Sequence, residues 1–529
     1  MGESKEECGI GAVRLRNVNS NSRVVWTSLN KLLEPIQRRG QSGTGTCVWR
    51  LKESKYRESF CKRKKLECVD TFFGGDILQK RENLIKGNKG IAGIGHVRYG
   101  TAGIRDYNIN ALQPFTKHDF RRSRRFSFAW NGHLSNYSEL EAEILRTTDF
   151  EMEIGVDTEV LMMLFVLGLK QQQIEAGNQN FTPDFFQLCK YVMPKLDGAY
   201  SLVMLMGNGD LGVMRDKNGF KPLVYGIKEG RLEEGVAEGE LHSFASESIS
   251  LRQLEIRDFE VVEPGNAMLI SDSGVKQEKI LRGKRKAHCV IESVYFMDEG
   301  SHFEKVPVYG TRTNYGLNLA KNEFLADEFK KYPLDFKIVP VPISANVAAK
   351  SYGKYFGLDI TDALKKITSK RTYINSPEKR DDLLKRTYDL KDWMVRGKKV
   401  VIIEDSLIKF STIKKIISLL KKAEVKEIHV RSTLPPVIHP CFYGVDHSDY
   451  YALIANKFPQ DVRDEKIAEM LGIASVRFQA LRDLVKGTSL GKDNLCLACL
   501  NGDYPTVYGN IRAKEAYCEA RRKERELFL

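Results

Sequence analysis

The chain changes its grammar near Cys289, and that change limits what it can fold into. From Cys8 to about residue 270, short β-branched stretches alternate with turn signals; Ser201–Met206 (SLVMLM) runs straight into Gly207-Asn208-Gly209-Asp210. Asp157–Lys170 is apolar at helical spacing and predicts a buried helix, with Asp157 as its N-cap. From Cys289 onward the order becomes strand, loop, helix. Phe336–Pro342 reads as a strand ending in a loop, Lys398–Ile403 as a more apolar strand, Ile413–Lys422 as an amphipathic helix, and Glu427–Val430 as the next parallel strand. That order fits an open α/β sheet, whose sites lie at the carboxyl ends of its strands. A chain of 529 residues is too long for one core, so two units are expected. The polar stretch 271–288 is the predicted linker between a unit at 8–270 and one at 289–460, and residues 461–529 read as a C-terminal extension.

Charge narrows the partners. Lys and Arg number 83 against 69 Asp and Glu, a net charge of +14. The basic residues fall in short clusters (Lys62–Lys65, Arg121–Arg125, Arg282–Lys286) with no nucleic-acid motif beside them, so no nucleic-acid partner is expected. Solvated surface is the favoured reading of these clusters, and a phosphate-rich small substrate would fit the charge equally well. No apolar run approaches the ~20 residues that span a bilayer, and the short acidic Met1–Glu7 is no signal peptide, so a cytoplasmic protein without a membrane partner is expected. Ten irregularly spaced cysteines do not form a disulfide framework.

One cysteine stands apart by position. Cys8, in Glu7-Cys8-Gly9-Ile10-Gly11, would carry both a thiol and an α-amine if the first seven residues were removed. An α-amine with a pKa near ~8 is a suitable base for the adjacent thiol. Other polar segments complete a site. Trp130-Asn131-Gly132 sets an amide side chain beside a glycine, Gly95-His96-Val97-Arg98-Tyr99-Gly100-Thr101 sets an arginine near a hydroxyl, and Asp157-Thr158 opens a helix. Each has a structural reading on its own: a turn, an ion pair, a cap. Taken together they supply a nucleophile for an amide carbonyl, two oxyanion donors in Asn131 and Gly132, an arginine for a carboxylate and an aspartate for an ammonium. Hydrolysis of free glutamine needs those groups. At the other end, Cys496-Leu497-Ala498-Cys499 is a CxxC pair, which alone could be zinc-binding, redox-active or neither.

These segments resemble the amidophosphoribosyltransferase family, which opens purine synthesis from glutamine and phosphoribosyl pyrophosphate. The similarity runs from Cys8 to about Thr506, with flanking matches at Leu196–Tyr200, Arg215-Asp216, Lys221–Leu223 and Ala245–Ser248. Ser42 and Gly100 depart from the family pattern without removing a catalytic group. The resemblance implies an α+β N-terminal-nucleophile hydrolase, an αββα sandwich, followed by an α/β type I phosphoribosyltransferase domain. It implies residues 1–7 as a propeptide, Cys8 as nucleophile, Asn131 and Gly132 as oxyanion hole, and Arg98, Thr101 and Asp157 as the glutamine contacts. It further implies a [4Fe–4S] cluster held by Cys289, Cys441, Cys496 and Cys499, and a homo-oligomer.

In the second half the same resemblance brings expectations of loss. Phosphoribosyl pyrophosphate would be held by Glu404, Asp405, Ser406, Ser411 and Thr412, with Mg2+ if that substrate binds. Phe410, however, replaces a glycine, and its ring is expected to restrict the backbone and fill the phosphate pocket. Val341-Pro342-Ile343-Ser344-Ala345 lacks the acid and the glycine of the pyrophosphate loop, with Ala345 expected to strain a positive φ. Ile367-Thr368 replaces an Arg-Tyr pair in the closing loop, where Lys365, Arg371 and Thr372 match. Loss or severe weakening of phosphoribosyl transfer is the expectation. Two alternatives to the family reaction follow: a glutaminase whose second domain takes another ligand or passes ammonia to a partner, and a non-catalytic regulatory subunit of a paralogue.

Overall fold

A computed structural model describes residues 8–18, 20–51, 59–99, 108–119, 121, 124–178, 181–232, 238–367, 388–408, 410–445, 447 and 449–527. In chain order the first unit contains β1 (Gly9–Arg16), β2 (Gly43–Trp49), β3 (Phe60–Lys65), β4 (Ala92–Arg98), β5 (Phe115–Lys117), β6 (Phe126–Leu134), β7 (Gly198–Met206), β8 (Leu211–Arg215), β9 (Val224–Arg231), β10 (Glu238–Ala245), β11 (Glu260–Val261), β12 (Asn266–Ser271) and β13 (Gly274–Lys279). They form two antiparallel sheets, ordered β11-β9-β10-β1-β4-β2-β3 and β13-β12-β8-β7-β6-β5.

Alternation along the strands explains the layering, since successive side chains point to opposite faces. On β1, Ile10 and Ala12 enter the core between the sheets, with Cys47, Ile94, Ala129 and Val203. Val13 and Leu15 face the other way, onto the helix Val24–Leu33. On β6, Phe126, Phe128 and Trp130 pack outward against the helices Asp157–Glu175 and Phe185–Val192. The result is the αββα sandwich the resemblance implied.

The helix at Asp157 starts differently from expectation. Val156 is the cap position and Asp157 the first helical residue. The Glu159 carboxylate takes the capping role, accepting from the backbone N–H groups of Glu153, Ile154, Gly155 and Val156. Asp157 itself accepts from the backbone N–H and hydroxyl of Thr158 in the first turn.

In the second unit β14 (His288–Cys289) is followed by the hairpin β15 (His302–Phe303) and β16 (Val306–Pro307), then β17 (Phe336–Pro340), the hairpin β18 (Leu364–Lys366) and β19 (Tyr388–Leu390), β20 (Lys399–Glu404), β21 (Glu427–Ser432), β22 (Ser475–Phe478) and β23 (Leu495–Cys496). Strands β17-β20-β21-β22 make a parallel sheet. Helix Asn346–Phe356 covers one face, while Ser411–Lys422 and Arg463–Leu471 cover the other. In Ser411–Lys422 the buried residues Ile413, Ile416, Ile417 and Leu420 follow helical spacing, and each contributes about 1.5–3 kcal/mol by burial.

Two boundaries move. Residues 274–279, within the stretch read as linker, form β13 as an edge strand paired with β12. β22 lies beyond residue 460 yet belongs to the parallel sheet, because its pairing with β21 completes that sheet. No helix among the described residues is long and apolar enough to cross a membrane.

Candidate active site

Strand register assembles the first site. Gly9 pairs with Val97 on β4, so Cys8, one residue earlier, stands at the Arg98 end of that strand. β4 also pairs with β2, where Gly43 meets Arg98. The turn Arg38–Gln41 closes on the same place: Ser42 N–H donates to the Arg98 carbonyl (2.8 Å), and a Cβ on Gly40 would lie 2.4 Å from the Val97 carbonyl carbon. Glycine at position 40 is therefore a packing requirement. Arg98 is buried, and its Nη1 reaches the Asn108 carbonyl at 3.4 Å.

Asn131 and Gly132 lie within β6 rather than in a turn, because that strand pairs with β7 without interruption from Phe126 to Leu134. Asn131 is only 2% exposed, and among the described residues its Nδ2 has no hydrogen-bond partner. A buried amide donor left unsatisfied costs about 1–3 kcal/mol, so this group awaits an acceptor. A Cβ on Gly132 would lie 2.4 Å from the Trp130 ring and 2.5 Å from the Ala199 carbonyl, so only glycine fits there. The Trp130 indole N–H donates to Thr158 Oγ1 (3.0 Å), tying β6 to the first turn of the helix that carries Asp157. Burial pushes the Asp157 carboxyl up to about 7, against opposing hydrogen bonds from the Thr158 N–H and hydroxyl. The His133 Nδ1 lies 3.8 Å from Asp157 Oδ2. His133 carried no sequence signal beyond following Gly132. Thr101 and residues 1–7, the expected propeptide, lie outside the described residues.

The second site forms at the carboxyl end of β20. Asp405 accepts from the hydroxyls of Ser406 (2.7 Å) and Ser344, so the loop after β17 and the loop after β20 meet at one carboxylate. Glu404 ends the strand, and the Thr433 N–H donates to its carbonyl (3.0 Å). Ser411 and Thr412 open the following helix. Sequence reasoning passed over Ser344, because the flanking losses at Ile343 and Ala345 drew attention away from the hydroxyl between them.

Two expected obstructions are not found here. Phe410 sits at φ +58°, ψ +5°, the left-handed conformation that a glycine would take at this turn. Its ring is 2% exposed and packs in the core with Val341, Leu407, Ile413 and Ile416 instead of filling the phosphate pocket. The loop leaves β20 over that core, and the apolar ring turns down into it. Ala345 has φ −81°, an ordinary helix-entry value, so no positive φ is strained there. Ile343 is 58% exposed and supplies no acid. Ile367 is also exposed; Thr368, Arg371 and Thr372 lie outside the described residues.

The four cysteines lie on segments that pack against one another. Cys289 and Cys496 are register partners in the parallel bridge of β14 and β23. The N–H groups of Ile438 and His439 both donate to the Cys499 carbonyl (3.0 and 3.1 Å), drawing the Cys441 loop to the CxxC. Burial pushes the Cys496 thiol up to about 12, and Cys499 rises well above its ordinary value through burial with Cys441 and Cys496 beside it. Among the described residues no three His, Cys, Asp or Glu side chains are spaced to hold a metal ion, so neither the cluster nor a zinc site is preformed by these four cysteines. The Cys441 loop also packs on the first unit: Tyr443 stacks on Phe220 with centroids 4.2 Å apart.

An N-terminal-nucleophile glutamine amidotransferase half joined to a phosphoribosyltransferase-type half is the class of enzyme these two units define. A family model described as a glutamine amidotransferase domain matches residues 104–237. The amidophosphoribosyltransferase of Methanocaldococcus jannaschii is 30% identical over 519 residues, covering 94% of this chain and 98% of that one, and the Bacillus subtilis enzyme of the same name is 29% identical over 482 residues, 90% of each. Among solved structures, B. subtilis glutamine phosphoribosylpyrophosphate amidotransferase complexed with ADP and GMP superposes with a TM-score of 0.74 at 25% identity, over 95% of this chain and 100% of that one. The structure described as the allosteric regulatory enzyme of purine biosynthesis gives 0.76 at 25% identity, over 96% and 99%. The chain belongs to the amidophosphoribosyltransferase family. Neither the glutaminase alternative nor the regulatory-subunit alternative gains support from these relatives.

Proposed function

We propose that this protein hydrolyses glutamine at Cys8 and transfers the ammonia to phosphoribosyl pyrophosphate, giving 5-phosphoribosylamine, pyrophosphate and glutamate at the entry to purine synthesis. The observation that carries the reading is the unpartnered, buried Asn131 amide beside a glycine that no other residue can replace. In the reaction, removal of residues 1–7 frees the Cys8 α-amine, which takes the thiol proton. The thiolate adds to the glutamine amide carbon, and the Asn131 side chain and the Gly132 N–H receive the developing oxyanion. The ammonium returns its proton to the leaving nitrogen, ammonia departs, and water cleaves the thioester to glutamate. Arg98 holds the substrate carboxylate and Asp157 its ammonium, with Thr101 assisting.

Ammonia then displaces pyrophosphate from the sugar. Glu404 and Asp405 take the ribose hydroxyls, while Ser406, Ser411 and Thr412 take the 5′-phosphate at a helix start. Mg2+ would arrive on the substrate phosphates, which is how this ion is commonly held. Cys289, Cys441, Cys496 and Cys499 would hold a [4Fe–4S] cluster; three buried thiols and the half-buried Cys441, drawn from three distant segments, are the support for that group. Its contribution would be structural, fastening the C-terminal segment to both units. A cytoplasmic homo-oligomer completes the reading.

The test is an anaerobic preparation in which glutamate and pyrophosphate are followed together. Equal release of both, dependent on both substrates, is expected. Glutamate release without pyrophosphate would reject the second half of the reading and restore the alternative of a glutaminase with another acceptor.

A further inference from the structure

The basic cluster Arg282–Lys286 has no role in the reaction above. It lines one side of a cleft of about 430 Å3 between the edge of the sandwich and the connecting stretch. Lys217 enters from the turn after β8, Lys279 from the end of β13, and Arg282, Arg285 and Lys286 from the connecting stretch. Backbone packing fixes these segments against one another. A Cβ on Gly283 would lie 2.3 Å from the Lys217 carbonyl oxygen, and the Gly265 carbonyl accepts from the N–H groups of Ile280 (2.9 Å) and Leu281 (3.1 Å). Asn218 Nδ2 donates to the Arg285 carbonyl (2.9 Å). The backbone that carries the cations is therefore held in place, and their side chains share one cleft.

Their internal partners are too few. Arg285 meets Asp503 (2.7 Å), Lys286 meets Glu263 (3.1 Å), and Lys279 Nζ donates to the Pro264 carbonyl (2.6 Å). Among the described residues Lys217 and Arg282 have no carboxylate partner. Five cations thus face two carboxylates in one fixed cleft. Like charges held together repel, and a bound anion removes that repulsion. Two guanidinium forks among them favour phosphate oxygens, which they grip bidentately.

We propose that this cleft binds a phosphate chain carrying at least two negative charges, at a site separate from the carboxyl end of β20. Pro264 is the one apolar side chain of the lining, so no aromatic or apolar platform there favours a nucleobase over a bare phosphate chain. A free inorganic chain should bind at least as well as the same chain within a nucleotide. Because Arg285 is shared with Asp503, the bound anion would also bear on the segment that follows the CxxC.

The inference is independent of the reaction proposed above, and its test reads binding alone. Inorganic pyrophosphate is titrated calorimetrically, without Mg2+, into the full-length protein, its Lys217→Gln/Arg282→Gln and Lys217→Glu/Arg282→Glu variants, a Lys421→Glu/Lys422→Glu control on another basic face, and Asp405→Asn. The expected result is at least a tenfold loss of affinity in both cleft variants, none in the control, and binding that persists in Asp405→Asn. Thermal melts establish that the cleft variants remain folded, and the neutral pair guards against misfolding from charge reversal. Equal binding in wild type and cleft variants, an equal loss in the control, or complete loss in Asp405→Asn would each overturn the proposal. A parallel titration with ADP separates the sources: binding no tighter than pyrophosphate supports the free chain, and binding of ADP alone rejects it.

Discussion

Ser135 donates a 2.8 Å hydrogen bond to the Phe442 carbonyl, so the residue just beyond β6 is tied to the loop that carries Cys441. The contact is close all along this seam. Arg512 Nε donates to the Ser135 carbonyl (3.0 Å), and a Cβ on Gly444 would lie 3.3 Å from that of His133. The strand that presents Asn131 and Gly132 therefore leans on the cysteine-bearing segment as well as on its own sheet.

Asn131→Ala removes one of the two proposed oxyanion donors. Glutamate release should fall on the order of 10²–10³-fold in kcat with little change in KM for glutamine. A fall in substrate affinity with kcat intact would assign Asn131 to binding instead. Cys8→Ala should abolish release altogether.

Glutamine binding should weaken with acidity. The Asp157 carboxyl, pushed up to about 7 by burial, must be ionised to hold an ammonium. Binding is thus fully developed above that pH and is lost as pH falls through it, with KM rising by roughly tenfold per unit on the acid side. Asp157→Asn should give a high KM that no longer responds between pH 6 and 8; an unchanged profile in that variant would place the titration elsewhere.

Arg39 is 1% exposed and forms 2.5 Å ion pairs with Glu247 and, across the boundary between the two units, with Glu292. Arg39→Met removes the shared cation from two buried carboxylates, of which Glu247 keeps the Asp298 N–H and the Ser301 hydroxyl, at a cost of about 3–5 kcal/mol. A large fall in Tm is expected, and a shift within a degree would show that the carboxylates find other partners.

Phe410→Gly exchanges two effects of opposite sign. Release from the left-handed conformation stabilises by about 1–2 kcal/mol, whereas deleting a buried ring costs about 3–5 kcal/mol. Net destabilisation near ~2 kcal/mol is expected in chemical denaturation. Since the ring lies in the core, kcat/KM for phosphoribosyl pyrophosphate should change by less than about tenfold, the equivalent of 1.4 kcal/mol. A large gain in that constant would return the ring to the phosphate pocket.

Cys441→Ser should lower iron and sulfide content after anaerobic reconstitution and expose the helix Val507–Leu527 to protease sooner than in wild type. Full iron incorporation in the variant would remove Cys441 from the ligand set.

Much of this was legible in the sequence wherever a local pattern and its tertiary role agreed. The apolar spacing of Asp157–Lys170 and the β-branched run at Lys398–Ile403 specify their own elements, and burial merely confirms them. Asn131-Gly132 was harder, because the pair that suits a turn is held here in mid-strand by β7 on one side and the Trp130 ring on the other. Ala345 and Phe410 misled for different reasons: at Phe410 the turn does take a positive φ and only the direction of the ring was misjudged, whereas at Ala345 the φ is ordinary. A substitution table records that a glycine is missing, but it does not say whether the turn demands a positive φ, as at Phe410, or an ordinary one, as at Ala345. The strand at Gly274–Lys279 was hidden because an edge strand facing solvent is polar on both sides of its alternation.

The pairing of β14 with β23 has a consequence for how the protein is made. Cys289 leaves the ribosome long before Cys496, and its register partner does not exist until nearly all of the second unit has been synthesised. The sandwich can complete itself during translation, but the cysteine cradle is a late, long-range closure. If those thiols hold a group, it would reach a nearly finished chain, so its supply rather than the folding of either sheet would set when the closure is complete.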